Sequence, residues 1–152
     1  MRIERTSRTG AVVTIAEVKA FGNITTTTED TQIQRILNAA ISKVEDVSNV
    51  SLAVNTLKLY SERLSTSEPL FLLPVTSVTS VIEYEYGTPV NYILSNDKTK
   101  VALLDNEQVV ITYVTAASTN EELKQIVLEL ACAIYDGQDK AVIEEILQKI
   151  PR

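Results

Sequence analysis

Two adjacent carboxylate pairs, Glu121/Glu122 and Glu144/Glu145, one thiol, Cys132, and a set of arginines, Arg2, Arg5 and Arg8, are the groups from which this chain would have to build a reactive or ligand-binding site. Paired carboxylates perform general acid–base chemistry only when both converge on one substrate atom. Adjacent residues on a helix diverge, because side chains meet at i, i+3 and i, i+4, so neither pair reads as a dyad and both read as solvated faces. A thiol becomes a nucleophile through a nearby base or cation. The chain has no histidine to serve Cys132, which stands between Ala131 and Ala133 and is expected to be a buried structural residue. There is no tryptophan and no glycine-rich phosphate loop, and no spacing argues for a carboxylate-only metal site. The expectation is a chain without catalytic, metal or cofactor-binding residues, and not an enzyme.

The arginines are unevenly placed. Residues 1–10 carry Arg2, Arg5 and Arg8 against Glu4, while the whole chain has a net charge of -6. That segment has no helical or strand period, and reads either as a frayed, solvated terminus or as an arm that orders against an acidic partner subunit or a phosphate backbone. The acidic balance elsewhere disfavours a generic nucleic-acid binder. Tyr84, Tyr86, Tyr92 and Tyr113 lie in strand-like sequence, with Glu83 and Glu85 interleaving the first pair and no lysine or arginine close behind. Strand packing or a subunit contact is the better reading than base stacking.

At 152 residues the chain fits one domain able to bury its own core, and 45% hydrophobic with 22% charged residues is an ordinary globular balance. A single cysteine forms no internal disulfide, which favours a reducing compartment. The arginines near the start are followed by no apolar run, and nothing approaches the roughly 20 apolar residues of a membrane span, so the expectation is a soluble, unsecreted protein without a membrane partner.

The elements that would position these residues follow from periodicity. Thr14 and Glu17 form a capping-box signature opening a short helix over about 14–20, broken at Phe21-Gly22. Asn23 to Thr28 is polar and β-branched and reads as a linker. From about 29 to 48, Ile33, Ile36, Leu37, Ala40, Ile41 and Val44 recur at helical spacing, with Thr28 as the expected cap. Between about 52 and 115 the period changes to two, in runs rich in Val, Ile, Thr and Tyr. Gly87-Thr88-Pro89, Ser95 to Lys98 and Asp105 to Glu107 mark the turns. Short loops favour an antiparallel meander or small barrel. A second capping signature, Thr119 with Glu122, opens a helix over about 120–136 bearing Leu123, Ile126, Val127, Leu130 and Ile134. A last helix carries Val142, Ile143, Ile146, Leu147 and Ile150. Its apolar face is either covered by its own domain or docks on another chain. The fold class is therefore α+β, a small bundle of amphipathic helices with an antiparallel β-rich insertion between the long ones. The helices near 29–48 and 120–136 are expected to form its core.

Four stretches in this order carry a family likeness: Thr14 to Lys19, Asp30 to Ala40, Leu73 to Val81, and Val109 to Tyr113 leading into Leu123 to Leu130. Together they resemble the head-tail connector, adaptor or head-completion, proteins of tailed double-stranded DNA bacteriophages. The resemblance covers a connector domain at 14–138; the basic arm at 1–13 and the C-terminal helix or tail at 139–152, read from the residues themselves, lie outside it. It also implies a structural virion protein forming a homo-oligomeric ring, usually dodecameric, beneath the portal protein. Such a ring extends the channel through which DNA passes without sequence-specific binding, and it presents a surface to a tail, neck or stopper protein. The site is then the virion neck, reached from the host cytoplasm during assembly. Within that reading, Arg2, Arg5, Arg8, Val142, Ile143, Ile146, Leu147 and Ile150 are the candidate assembly contacts. The alternative is a non-enzymatic binding or assembly module, monomeric or dimeric, outside any portal ring.

Overall fold

The computed structural model of the protein describes residues 2–61, 67–103 and 108–151. It is an α+β fold with antiparallel sheets, and no closed barrel forms among the described residues. The chain divides into a helical unit, Ala11–Leu52 with Thr119–Arg152, and a sheet unit, Met1–Gly10 with Ala53–Ser118.

The helical unit contains α1 (Ile15–Phe21), α2 (Asp30–Ser48), α3 (Glu121–Tyr135) and α4 (Lys140–Leu147). Thr14 caps α1 as its sequence requires: its hydroxyl accepts from the Glu17 N–H at 3.4 Å, and the Glu17 carboxylate accepts from the Thr14 N–H at 3.3 Å. The two later caps differ from expectation. Thr28 shares a 2.8 Å hydrogen bond with the Thr26 hydroxyl, a local partner that competes with capping, and Glu29 stands at the N-cap of α2 without a side-chain capping bond, its carboxylate accepting instead from the Tyr135 hydroxyl at 2.6 Å. At α3 the cap is Asn120, not Thr119, and its side-chain oxygen accepts from the Leu123 N–H at 3.1 Å. Asn is as good a cap as any residue, so of two neighbouring candidates the better one holds the position.

The α2 and α3 helices pack against each other. Ile33, Leu37, Ala40, Ile41 and Val44 of α2 and Leu123, Ile126, Val127 and Leu130 of α3 are buried, with Ile36 and Ile134 half-buried at the margin. Leu128, Ala131, Cys132 and Ala133 are buried too, so α3 is enclosed on more than one face. Gly22 answers to this crowding, because a Cβ there would meet Cys132 Sγ at 3.0 Å. Lys19 pairs with Asp30 and Lys124 with Glu17, each at 2.8 Å, tying α1 to α2 and to α3.

In the sheet unit, β1 (Arg2–Thr9), β2 (Val54–Ser61), β7 (Val109–Thr115) and β4 (Val75–Glu83) form one antiparallel sheet in the order β1-β2-β7-β4, and β3 (Ser67–Pro69), β6 (Lys100–Leu103) and β5 (Tyr92–Leu94) form another in the order β3-β6-β5. The strict alternation of β2 buries Leu57 and Leu59 and turns Thr56, Lys58 and Tyr60 away. Leu72, Val101, Val109, Ile111 and Tyr113 complete a core of their own. Pairings such as β2 with β7 join strands far apart in sequence, while the Ser95–Lys98 turn closes the β5–β6 hairpin locally. Asp97 organises that turn by accepting from the Ser95 hydroxyl at 2.7 Å and from the Thr99 N–H at 3.2 Å, which holds its carboxyl down at about 2. The Asp105–Glu107 turn lies outside the described residues.

Residues 2–9 correct the expectation of an N-terminal arm without strand period. They are β1, paired along β2 from Arg2 opposite Tyr60 to Thr9 opposite Val54, with one bulge between Arg5 and Ser7. An edge strand needs partners along only one side, so its polar sequence leaves no hydrophobic alternation to read. Arg5 Nε donates to Asn55 Oδ1 at 2.9 Å, and the Asn55 N–H donates to Thr115 Oγ1 at 3.2 Å, knitting β1 through β2 to β7. Just beyond the strand, Val13 is buried in the helical core. Deleting residues 1–10 is expected to destabilise the sheet unit by about 2 kcal/mol, since cross-strand pairs contribute roughly 0.2–1 kcal/mol each. Thermal denaturation checks this, and an unchanged midpoint would show that β1 adds nothing to the unit.

Candidate assembly surfaces

Among the described residues no group of His, Cys, Asp and Glu is placed to hold a metal ion, and no helix is long and apolar enough to cross a membrane. Glu121, Glu122, Glu144 and Glu145 are all exposed on helix surfaces. Cys132 is buried and donates to the Val18 carbonyl at 3.7 Å, and burial, with Asp136 adding to it, pushes its thiol up, the opposite of an activated nucleophile.

The C-terminal apolar residues proposed as assembly contacts are largely used at home. Ile146, Leu147 and Ile150 are buried in the helical core and Val142 and Ile143 are half-buried against it. Asp139 caps α4 by accepting from the Val142 N–H at 3.1 Å, and Lys149 pairs with Glu129 of α3 at 3.0 Å. The i, i+3, i+4 stripe of α4 is thus core by the same physics that made it a docking candidate, because an apolar stripe does not say which surface covers it.

The arginines sit on β1 and are engaged within the sheet unit. Arg2 lies over the Tyr60 ring at 4.1 Å, a cation–π contact, and Arg5 and Arg8 are half-buried. Tyr60 in turn meets Tyr84 edge to face, with ring centroids 6.0 Å apart. This leads to a surface that periodicity alone did not single out. The turn leaving β4 exposes Tyr84 at 56% and Tyr86 at 77%. Its geometry is fixed by Gly87 at φ 70° and by the Gly87 N–H donating to the Glu83 carbonyl at 3.0 Å. The returning chain is held by Glu83 N–H to Thr88 O at 2.8 Å and Val90 N–H to Val81 O at 2.9 Å. Beside the tip is a cleft of about 280 Å³ lined by Glu83, Glu85, Tyr86 and Gln108. The Glu-Tyr-Glu-Tyr alternation was the available signal. Read as a strand it buries every second residue, whereas the chain turns after Glu83 and presents both tyrosines.

The arrangement offers shape and contact surface, and the comparisons agree with it. The family model described as phage gp6-like head-tail connector protein matches residues 12–149. A chain of the structure described as the virion of a native gene transfer agent (GTA) particle has the same fold, with a TM-score of 0.74 at 19% identity over 100% of this chain and 97% of that one. Chains from the neck of the empty GTA particle, computed with C6 symmetry, and of the native particle, computed with C12 symmetry, align with TM-scores of 0.73 and 0.69 at 21% and 20% identity and the same coverage. No curated protein matches the chain. With the family model running through every helix and the whole β-rich insertion, the chain belongs to the phage gp6-like head-tail connector family and is a structural connector protein.

Proposed function

We propose that this connector acts as one subunit of a closed ring, of twelve copies, seated beneath the portal at the capsid vertex. The ring carries the DNA channel onward and presents its other surface to a neck, stopper or tail protein. The carrying observation is the family match over residues 12–149. The neck chains of similar fold, from GTA necks computed with C6 and C12 symmetry, support a ring. Composition is in keeping with a conduit: the helical unit's residues include seven basic and twelve acidic side chains, which repel a phosphate backbone. The protein acts by repetition of a shape and catalyses nothing, assembling in the host cytoplasm before it resides in the virion neck. Light scattering after size exclusion, with the protein alone and with its portal protein, tests the reading. A complex of portal plus about a dozen subunits is expected; a mixture that elutes as unbound portal and free monomer would refute it.

A further inference from the structure

We infer that subunits join head to tail through the Glu83–Tyr86 tip of one copy and the outer face of α2 of the next. The inference rests on the ring reading above and names the contact that would build the ring. On the tip, two tyrosines are mostly exposed and two carboxylates, Glu83 and Glu85, flank a cleft with room for a long side chain. Tyrosine is among the residues that dominate interface energies, and carboxylates beside an aromatic ring form the environment a guanidinium prefers, bidentate at its edge and stacked on its face. Arg2 does not occupy this role within the copy, since it lies over Tyr60.

The complementary surface is on α2. Arg35 and Lys43 are both exposed, and Ala39 lies midway between them on the same stripe at i, i+4, i+8. Thr31, Gln32, Asn38 and Ala39 are the residues at i±3 and i±4 of Arg35, none of them acidic, and Arg35 has no ion pair among the described residues. Within a helical unit that is acidic overall, this is a locally basic stripe with a small residue at its centre that leaves room for an aromatic ring; Asp46, exposed at i+3 from Lys43, bounds it on the C-terminal side. Tip and stripe belong to different units and are different surfaces, so the contact is heterologous, the type that repeats around a closed ring.

The test is a charge exchange read by light scattering, for the protein alone and on its portal protein, at concentrations where the wild type assembles. Glu85→Lys and Arg35→Glu each lie on an exposed position and are expected to keep the wild-type thermal midpoint while weakening subunit association roughly tenfold or more, as loss of an interface anchor does. Mixing the two variants in equal amounts is expected to restore assembly. In an alternating ring the E85K tip meets the R35E helix, and the unaltered tip of the R35E copy meets the unaltered helix of the E85K copy. Single variants that assemble like the wild type would overturn this contact and leave the ring reading standing. So would singles that fail and a mixture that does not recover. If the wild type itself forms no ring, alone or on the portal, the ring reading fails and this inference falls with it.

Discussion

Replacing Leu130 with Asp is expected to abolish cooperative folding of the helical unit. Leu130 is fully buried in α3, in the cluster shared with Leu37, Ile41 and Val44 of α2. Losing the leucine alone costs about 2–5 kcal/mol, and a carboxylate placed there adds the cost of a buried, unpaired charge. Together these exceed about 5 kcal/mol, comparable with the whole stability of a domain. Ile36→Asp separates two accounts of the same helix. Its side chain is half-buried at the edge of the cluster, so a carboxylate there reaches water and the cost falls to about 1–2 kcal/mol. Circular dichroism during thermal unfolding measures both, and a wild-type midpoint for Leu130→Asp would contradict a core built on the α2–α3 contact.

The second large effect is alkaline and belongs to the sheet unit. Tyr113 is fully buried in β7 and its hydroxyl donates to the Phe71 carbonyl at 2.7 Å. Burial pushes its phenol up to about 12 from an ordinary value of 10.0. A proton held more tightly in the folded state stabilises folding fully below pH 10, and this contribution is lost as pH rises through the folded value near 12. A shift of that size corresponds to about 2.7 kcal/mol, at roughly 1.36 kcal/mol per pH unit. Tyr113→Phe removes the hydrogen bond and costs about 1–2 kcal/mol at neutral pH, but it cannot ionise. The stability gap between wild type and variant is therefore expected to be constant up to about pH 10, to narrow above it, and to have reversed before about pH 12. Denaturant titrations across that range check the crossing, and a gap that does not change with pH would refute the role given to the phenol.

Much of the helical unit was legible from spacing alone. Ile33 to Val44 and Leu123 to Leu130 follow the 3.6-residue period because each helix buries a stripe, and Thr14 with Glu17 announced the first cap because both halves of the box were present. Thr119 failed where Thr14 succeeded, since Asn120 beside it is the stronger cap and periodicity does not choose between neighbours. The sheet was legible as strands and turns and not as an order. Pairing β1 with β2 brings Arg2 to Tyr60 across most of the helical sequence, and nothing local in either strand encodes that partner.

The candidate contacts were least legible. An apolar stripe at Val142 to Ile150 and a polar alternation at Arg2 to Arg8 are ambiguous by nature, the first between core and docking face, the second between free arm and edge strand. In both cases tertiary packing within the subunit claimed them. Among the large apolar and aromatic side chains that stay exposed, with Phe21, Val54, Tyr92 and Ile93, are Tyr84 and Tyr86 at the tip, where a tight turn overrides the strand-like alternation of Glu83 to Tyr86.

If this connector works as a ring on the portal, electron microscopy of the purified protein bound to its portal will show it. The expected image is a closed ring of twelve subunits, coaxial with the portal and continuing its channel. A portal with no added density, or with isolated copies at scattered positions and no closed ring, would contradict it.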